Sequence, residues 1–373
     1  MQQDRTAQFL QKATIQQYKS DVGFRTLVES VNENMYVIPK YQRKYRWSKE
    51  KVIGLVDSLL RGMPIPPIYT CRNKENQLEI LDGQQRVMSL FFYYIGYFMD
   101  LRENSAIDFS ELNTDNKTFK EALLEQFSLK ELHIELEGKE NNSICADYDS
   151  LPIEVKRRVD YTTITVIEIK IDQEEQREDV LRTIFANLNK GGALLSDQEQ
   201  RNGIYNCKFY DMLRDFNKKN LKWRKVWGRA SAKEKDMELL LRFCTLKKYA
   251  SLDENGNFTI QDYNSSYVRM LDQFSKESMK FSETEIKAYE DSLNQFVDQF
   301  QIEKTFSGEV ALLESFYVVF EKKKVQAKIT KEVHDQILEA KEFKETNRQG
   351  TIKMKKMNQR WKIVYEIWSK FDK

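Results

Sequence analysis

The sequence predicts an α+β protein in which a small mixed core is followed by a mostly α-helical domain, and three features carry that reading. Short runs of helical and strand period alternate between residues 24 and 100. Residues 161–171 alternate at period two and are rich in β-branched side chains, a strand pattern. From Glu174 onward the periodicity is almost wholly helical. At 373 residues the chain exceeds one typical domain; the expected division is residues 1–200, with an insertion over about 102–155, and residues 201–373.

Taken in order, Phe24, Leu27, Val28 and Val31 fall at helical spacing. Residues 35–38 read as a short strand ending at Pro39. Ser48 is a suitable N-cap for a helix with Val52, Leu55, Val56, Leu59 and Leu60 on its apolar face, stopped by Gly62 and Pro64. Residues 66–71 and 78–81 read as strands separated by a polar turn from Arg72. Asp82-Gly83 then opens an apolar helix near Gln84. Residues 102–150 are polar, Asn-rich and irregular, which suggests an insertion of short elements.

Composition narrows the function. With 40% hydrophobic and 12% aromatic residues the chain can bury a sizeable core. Lys+Arg number 60 against 58 Asp+Glu, so any nucleic-acid contact must come from local patches. The cysteines Cys71, Cys145, Cys207 and Cys244 are isolated and only His133 and His334 accompany them, which argues against zinc. Separate thiols, a polar N-terminal stretch and no apolar run long enough for a bilayer give the expectation of a cytoplasmic protein without a membrane partner. His133 falls in an alternating stretch that reads as a strand and His334 in a charged helix; neither has a catalytic partner motif, so both are expected to be structural.

The chemistry concentrates at Asp82-Gly83-Gln84-Gln85-Arg86. A strand running into a helix at a Gly leaves the first helical N–H groups at a corner suited to phosphate. Gly83 permits a positive φ or close ligand approach. Arg86 supplies a planar fork for phosphate oxygens, and Asp82 can hold a magnesium ion or orient a water. From this pentapeptide alone the alternative stands equally: a plain turn with Asp82 capping the helix. Residues 38–47 add Arg43 and Arg46 among tyrosines and Trp47, a set suited to stacking on a base or clamping phosphates. The plainer alternative is a solvated basic loop with its aromatics in the core.

Three segments together carry a resemblance: Pro39-x-Tyr-Gln-Arg-x-Tyr-x-Trp47, Leu81-Asp-Gly-Gln-Gln-Arg86 with Ser89-Leu90, and Phe185-x-x-x-Asn189-Lys-Gly-Gly-x-Leu-Leu-Ser196-Asp-x-Glu199. Over roughly residues 20–245, which include Asp236-x-Glu238 and Arg242-Phe243, the chain resembles the N-terminal domain of GmrSD-type restriction enzymes, a ParB-like domain of bacterial anti-phage systems. The resemblance implies a ParB/sulfiredoxin-like core that binds, and often hydrolyses, nucleoside triphosphates with Mg²⁺, in the manner of a GTPase or ATPase. By that likeness Asp82, Gln85 and Arg86 are catalytic candidates, and Gln42, Arg43, Arg46, Gly83, Gln84, Asn189 and Lys190 nucleotide-binding ones. The wider ParB group's loop reads Gly-Glu-Arg-Arg, and Gln84 and Gln85 stand here at the Glu and first Arg. Read without the family, Asn189 to Gly192 is equally a helix C-cap and turn.

Members often carry a C-terminal His-Asn-His-like nuclease domain. The sequence around His334 lacks that context, so DNA cleavage is expected from a nuclease or effector subunit in trans. Two basic-aromatic stretches are DNA candidates: Lys222, Trp223, Arg224 and Lys225, and Lys355, Lys356 and Arg360. The alternative is cations snorkelling from helices whose Trp and Met faces are core. The resulting expectation is an NTP-binding, NTP-hydrolysing component of a restriction or anti-phage system acting on DNA; the alternative is a non-enzymatic DNA-binding or adaptor protein.

Overall fold

A computed structural model describes residues 15–39, 42, 44–100, 106–137, 143–171, 177–188, 196–261, 263, 266–346 and 352–372. The chain divides into two compact units, residues 1–194 and 195–373.

The first unit is built on a five-stranded mixed sheet. Its elements are β1 (Ile15–Gly23), α1 (Phe24–Asn32), β2 (Tyr36–Val37), α2 (Lys49–Leu60), β3 (Ile68–Arg72), β4 (Leu78–Asp82) and α3 (Gln84–Ile95). They are followed by β5 (Tyr97–Met99), α4 (Phe119–Gln126), β6 (Leu129–Glu131), β7 (Glu135–Glu137), β8 (Ser143–Cys145), α5 (Ile153–Asp160), β9 (Thr163–Ile171) and α6 (Arg177–Leu188). The strand order is β1-β9-β3-β4-β2. β1 runs antiparallel to β9, with Ile15 opposite Ile171, while β3 lies parallel to β9 and antiparallel to β4. Strand β1 has no sequence signature, because it is a sheet edge whose residues are mostly exposed on both faces, so no apolar alternation is needed.

Alternation along the inner strands gives each sheet face its own cover. Ile68, Ile80, Ile164 and Val166 share a core with Phe24, Leu27 and Val28 of α1 and Val87, Leu90 and Phe91 of α3. Cys71, Leu81, Ile169 and Ile171 on the other face pack against Val180, Leu181 and Ile184 of α6. Arg72 ties β3 to β9 by a two-pronged pair with Glu168, at 2.9 Å from each nitrogen. The insertion is more ordered than its composition implies: Thr118 and Glu121 form a capping box that starts α4, and Phe109 and Phe119 join the rings of the core. His133 lies between β6 and β7 rather than in a strand. Asp147 decides this, accepting the Ile134 N–H and standing 3.0 Å from His133 Nδ1.

The second unit contains α7 (Asp197–Ile204), α8 (Lys208–Lys219), α9 (Leu221–Trp227), α10 (Lys235–Tyr249), β10 (Ala250–Leu252), β11 (Phe258–Ile260), α11 (Tyr267–Ser278) and α12 (Glu283–Val297). α13 (Val310–Lys323), α14 (Lys331–Glu339), α15 (Lys341–Thr346) and α16 (Met354–Trp368) complete it. Fully buried Trp223, Phe243, Tyr317, Trp361 and Trp368 form its core, with Phe243 and Tyr317 stacked at 4.5 Å. The β10–β11 hairpin interrupts the expected helix run, its turn closed by Asp253 accepting from the N–H groups of Asn255 and Asn257. His334 is buried 2.8 Å from both Glu309 and Asp335, an internal hydrogen-bonding position. Among the described residues the cysteines are unpaired, no metal-type cluster of His, Cys, Asp and Glu occurs, and no helix is long and apolar enough to cross a membrane.

Phe24 fills the angle between α1 and the rings of Tyr93 and Tyr148, so Phe24→Ala is expected to cost about 3–5 kcal/mol in urea unfolding. A loss below about 1 kcal/mol would contradict that packing. The Asp147 hydrogen bond raises the His133 pKa above the ordinary imidazole value. The stabilising contribution of this pair is therefore present at low pH and lost as pH rises through the folded value. An NMR titration should return His133 to an ordinary imidazole in Asp147→Asn; an unchanged midpoint refutes the assignment.

Candidate functional site

Strand β4 ends at Asp82, and Gly83 turns the chain directly into α3 with φ 101° and ψ 3°. That left-handed conformation strains any residue with a Cβ. A Cβ at Gly83 would also stand 3.1 Å from Arg86 Nη2 and 3.2 Å from Ile68 Cγ1. The glycine is thus required both by the turn and by the close approach of Arg86. Because α3 starts at Gln84, the N–H groups of Gln84, Gln85 and Arg86 have no intrahelical acceptor, and the positive end of a twelve-residue helix lies at the corner.

Gln42, Lys44 and Arg46 are fastened to this corner by two glutamine side chains. Gln42 donates from Nε2 to the carbonyls of Ile80 and Leu81 at 3.0 and 2.7 Å, at the end of β4. Gln85, buried in the first turn of α3, accepts the Arg46 backbone N–H at 3.0 Å and donates to the Lys44 carbonyl at 3.2 Å. Between them Tyr45 is fully buried, its hydroxyl 2.9 Å from Ser89 Oγ and its ring against Phe92 and Phe109. Burial raises the Tyr45 pKa well above that of an ordinary phenol, so this hydroxyl is a fixed, neutral hydrogen-bonding group.

Arg86 turns back over the corner. Its Nη2 donates at 2.9 Å both to Asp82 Oδ2 and to the Pro67 carbonyl. Asp82 therefore pairs with Arg86, and the N-cap position of α3 belongs to Gly83, without a side-chain cap. Arg86 Nε is buried without a hydrogen-bond partner. Gln84 is only 3% exposed, and neither its Oε1 nor its Nε2 has a hydrogen-bond partner among the described residues. An amide left bare in the interior costs roughly 1–3 kcal/mol, which makes Gln84 the anomaly of the site.

Gln42, Gly83, Gln84, Gln85, Arg86, Asp82 and the Arg46 backbone thus converge at one place. Arg43, Asn189 and Lys190 lie outside the described residues, so the third sequence segment is described only from Ser196, which forms a capping box with Glu199 at the start of α7. In the helical unit Trp223 is buried and donates its indole N–H to Asn217, and Arg224 pairs with the buried Asp236 at 3.0 Å. Arg360 is buried beside Glu314, and Lys222 pairs with Asp298. Lys225 and Lys355 are exposed, and Lys356 is half-buried. Sequence reading did not find the roles of Tyr45, Ser89 and the Pro67 carbonyl. Ser89 stands one helical turn after Gln85 and could have been placed on the same face as the loop by its i, i+4 spacing.

Residues 24–206 match the family model described as GmrSD restriction endonuclease, N-terminal domain. The matched segment is just under half of the chain, and over it the chain is similar to that family, whose description is restriction-related. The segment includes Gln42, residues 44–47 and the corner from β4 to α3. No curated protein matches the chain. Among solved structures, a Pnob8-like ParB-N domain matches at 11% identity over 95% of this chain and 99% of that one; its TM-score of 0.28 is too low to argue from.

Gln85→Leu removes both bonds to the loop while keeping the buried volume, and should cost about 1–3 kcal/mol because the Arg46 N–H and Lys44 carbonyl lose their partner. Hydrogen exchange at the Arg46 amide should accelerate in this variant. Unchanged exchange there would show that the loop is held some other way.

Proposed function

We infer that the corner from Asp82 to Arg86 binds a nucleoside triphosphate and supports its hydrolysis, within a restriction-type system that acts on DNA. The observation that carries this reading is the buried Gln84 side-chain amide, which has no partner among the described residues, in the first turn of a helix whose first N–H groups have no acceptor within the helix. A phosphate oxygen is an acceptor for those N–H groups and for Gln84 Nε2, and the helix dipole favours its charge. Arg86 lies within reach with a fork suited to phosphate, held ready between Asp82 and the Pro67 carbonyl. Gln42 and Gln85 are positioning residues in this scheme: they hold the basic-aromatic loop beside the corner and place Arg46 there.

A magnesium ion would fit only in the mode where phosphates supply most ligands, since no group of three or more His, Cys, Asp or Glu suited to a metal occurs among the described residues and Asp82 is paired with Arg86. Were Arg86 to pair with phosphate, Asp82 would be the residue to hold such an ion or to orient the attacking water. The name of the family brings DNA in as the substrate of the wider system, with cleavage supplied by a nuclease or effector subunit in trans.

One observation favours a second reading. Arg86 already has two partners, so the corner is also consistent with a structural joint in a DNA-binding or adaptor protein without turnover. A panel of nucleoside triphosphates with Mg²⁺, with and without DNA, separates the two. Phosphate release by wild type, and binding weakened about tenfold or more in Arg86→Ala with unchanged circular dichroism, supports the first. Salt-dependent DNA retention with neither nucleotide binding nor phosphate release supports the second and ends the first.

A further inference from the structure

The sheet of the first unit has two edges, and they are built differently. β2 is two residues long, the short kind of edge that discourages pairing with another chain. β1 runs for nine residues, and its pairing with β9 is continuous from Ile15 to Gly23 without a register shift. It contains no proline and no bulge, the usual devices that blunt an edge. Among the described residues no strand lies on its outer side.

The ladder fixes which main-chain groups face outward. Phe24, directly after β1, donates its N–H to the Thr162 carbonyl at 2.9 Å. The same register sets Val22 opposite Ile164, Ser20 opposite Val166 and Tyr18 opposite Glu168. Bonded and non-bonded positions alternate along an antiparallel pair, so Tyr18, Ser20 and Val22 turn their N–H and C=O groups to β9. Gln17, Lys19, Asp21 and Gly23 turn theirs to the open side. Side chains alternate with the same period. Lys19 and Asp21 share one face, with side chains 65% and 50% exposed and 3.8 Å apart, a loose pair. Tyr18 and Val22 share the other face, where Val22 packs against the α1 core and Tyr18 is 51% exposed.

A second copy of β1 fits this edge, and the charges choose its register. Two-fold antiparallel pairing brings outward-facing residues opposite outward-facing residues. Registers centred on Lys19 or on Asp21 oppose like charges, which is destabilising. Only the register centred on Ser20 sets Lys19 opposite Asp21 of the second copy, and symmetry makes that pair twice. In the same register Tyr18 stands opposite Val22 of the second copy, an aromatic and β-branched pair of the kind that stabilises sheets. We propose that the chain forms a symmetric dimer through β1, centred on Ser20, in which the two five-stranded sheets continue into one. This edge shares no residue with the phosphate corner.

Sedimentation velocity on the full chain from about 1 to about 500 μM, with hydrogen exchange at both ends of that range, tests the proposal. Wild type should dimerise reversibly. The amides of Lys19 and Asp21 should gain protection with concentration, while those of Ser20 and Val22 are protected by β9 throughout. Lys19→Asp should weaken the dimer about tenfold or more, with unchanged circular dichroism because the side chain is exposed. Adding Asp21→Lys to that variant should restore the dimer to within about threefold of wild type, since the opposed charges are then exchanged. A monomer at every concentration overturns the proposal. So does a dimer that Lys19→Asp leaves intact, that the exchanged pair does not restore, or that forms without protection at Lys19 and Asp21.

Discussion

The first unit depends on one constraint: Gln42 and residues 44–46 must lie against the end of β4 and the start of α3, and two amide side chains hold them there. Gln85 is the more consequential, because it satisfies a backbone donor and a backbone acceptor of the loop at once from a buried position. A buried amide that meets both needs is strongly specified, since any substitution strands two main-chain groups. From this follow the burial of Tyr45, its bond to Ser89 and the placing of Arg46. Gly83 then sets how closely Arg86 can fold back over the turn.

Within that frame the functional interest shifts from charge to unmet hydrogen bonding. The sequence draws the eye to Arg86 and Asp82, and these two satisfy one another in part. Gln84 does not take part in the clamp and has no partner, although the adjacent Gln85 is fully used. Two neighbouring glutamines thus differ: Gln85 joins the architecture, and the Gln84 side chain has no partner among the described residues. Asp82 gives up the capping role that a turn reading assigns to it, because Gly83 occupies the cap and Arg86 takes the carboxylate.

Much of the fold was legible in advance where one face is buried and the other wet. Phe24, Leu27, Val28 and Val31 announce α1, and the β-branched alternation announces β9. Strand β1 was illegible because an edge strand exposed on both faces needs no apolar pattern. The strand reading of the His133 segment holds from Glu135 onward and not at His133, where Asp147, a residue distant in sequence, accepts the Ile134 N–H and stands beside the imidazole. At the site, residue types and the pairing of two motifs were legible, but the mode of joining was not: glutamines named for a ligand prove, in Gln42 and Gln85, to bind the main chain. The basic stretch around Trp223 reads alike as core or surface, and only the tertiary partners Asn217 and Asp236 reveal Arg224 as an interior group.

We infer that the first N–H groups of α3 and the Gln84 side-chain amide form a phosphate site. Hydrogen exchange measured residue by residue, with and without a Mg²⁺-nucleoside triphosphate, tests it most directly. The account predicts new protection at the amides of Gln84, Gln85 and Arg86 and at the Gln84 side chain, lost in Gln84→Leu. Protection elsewhere in the chain with none at this corner would contradict it.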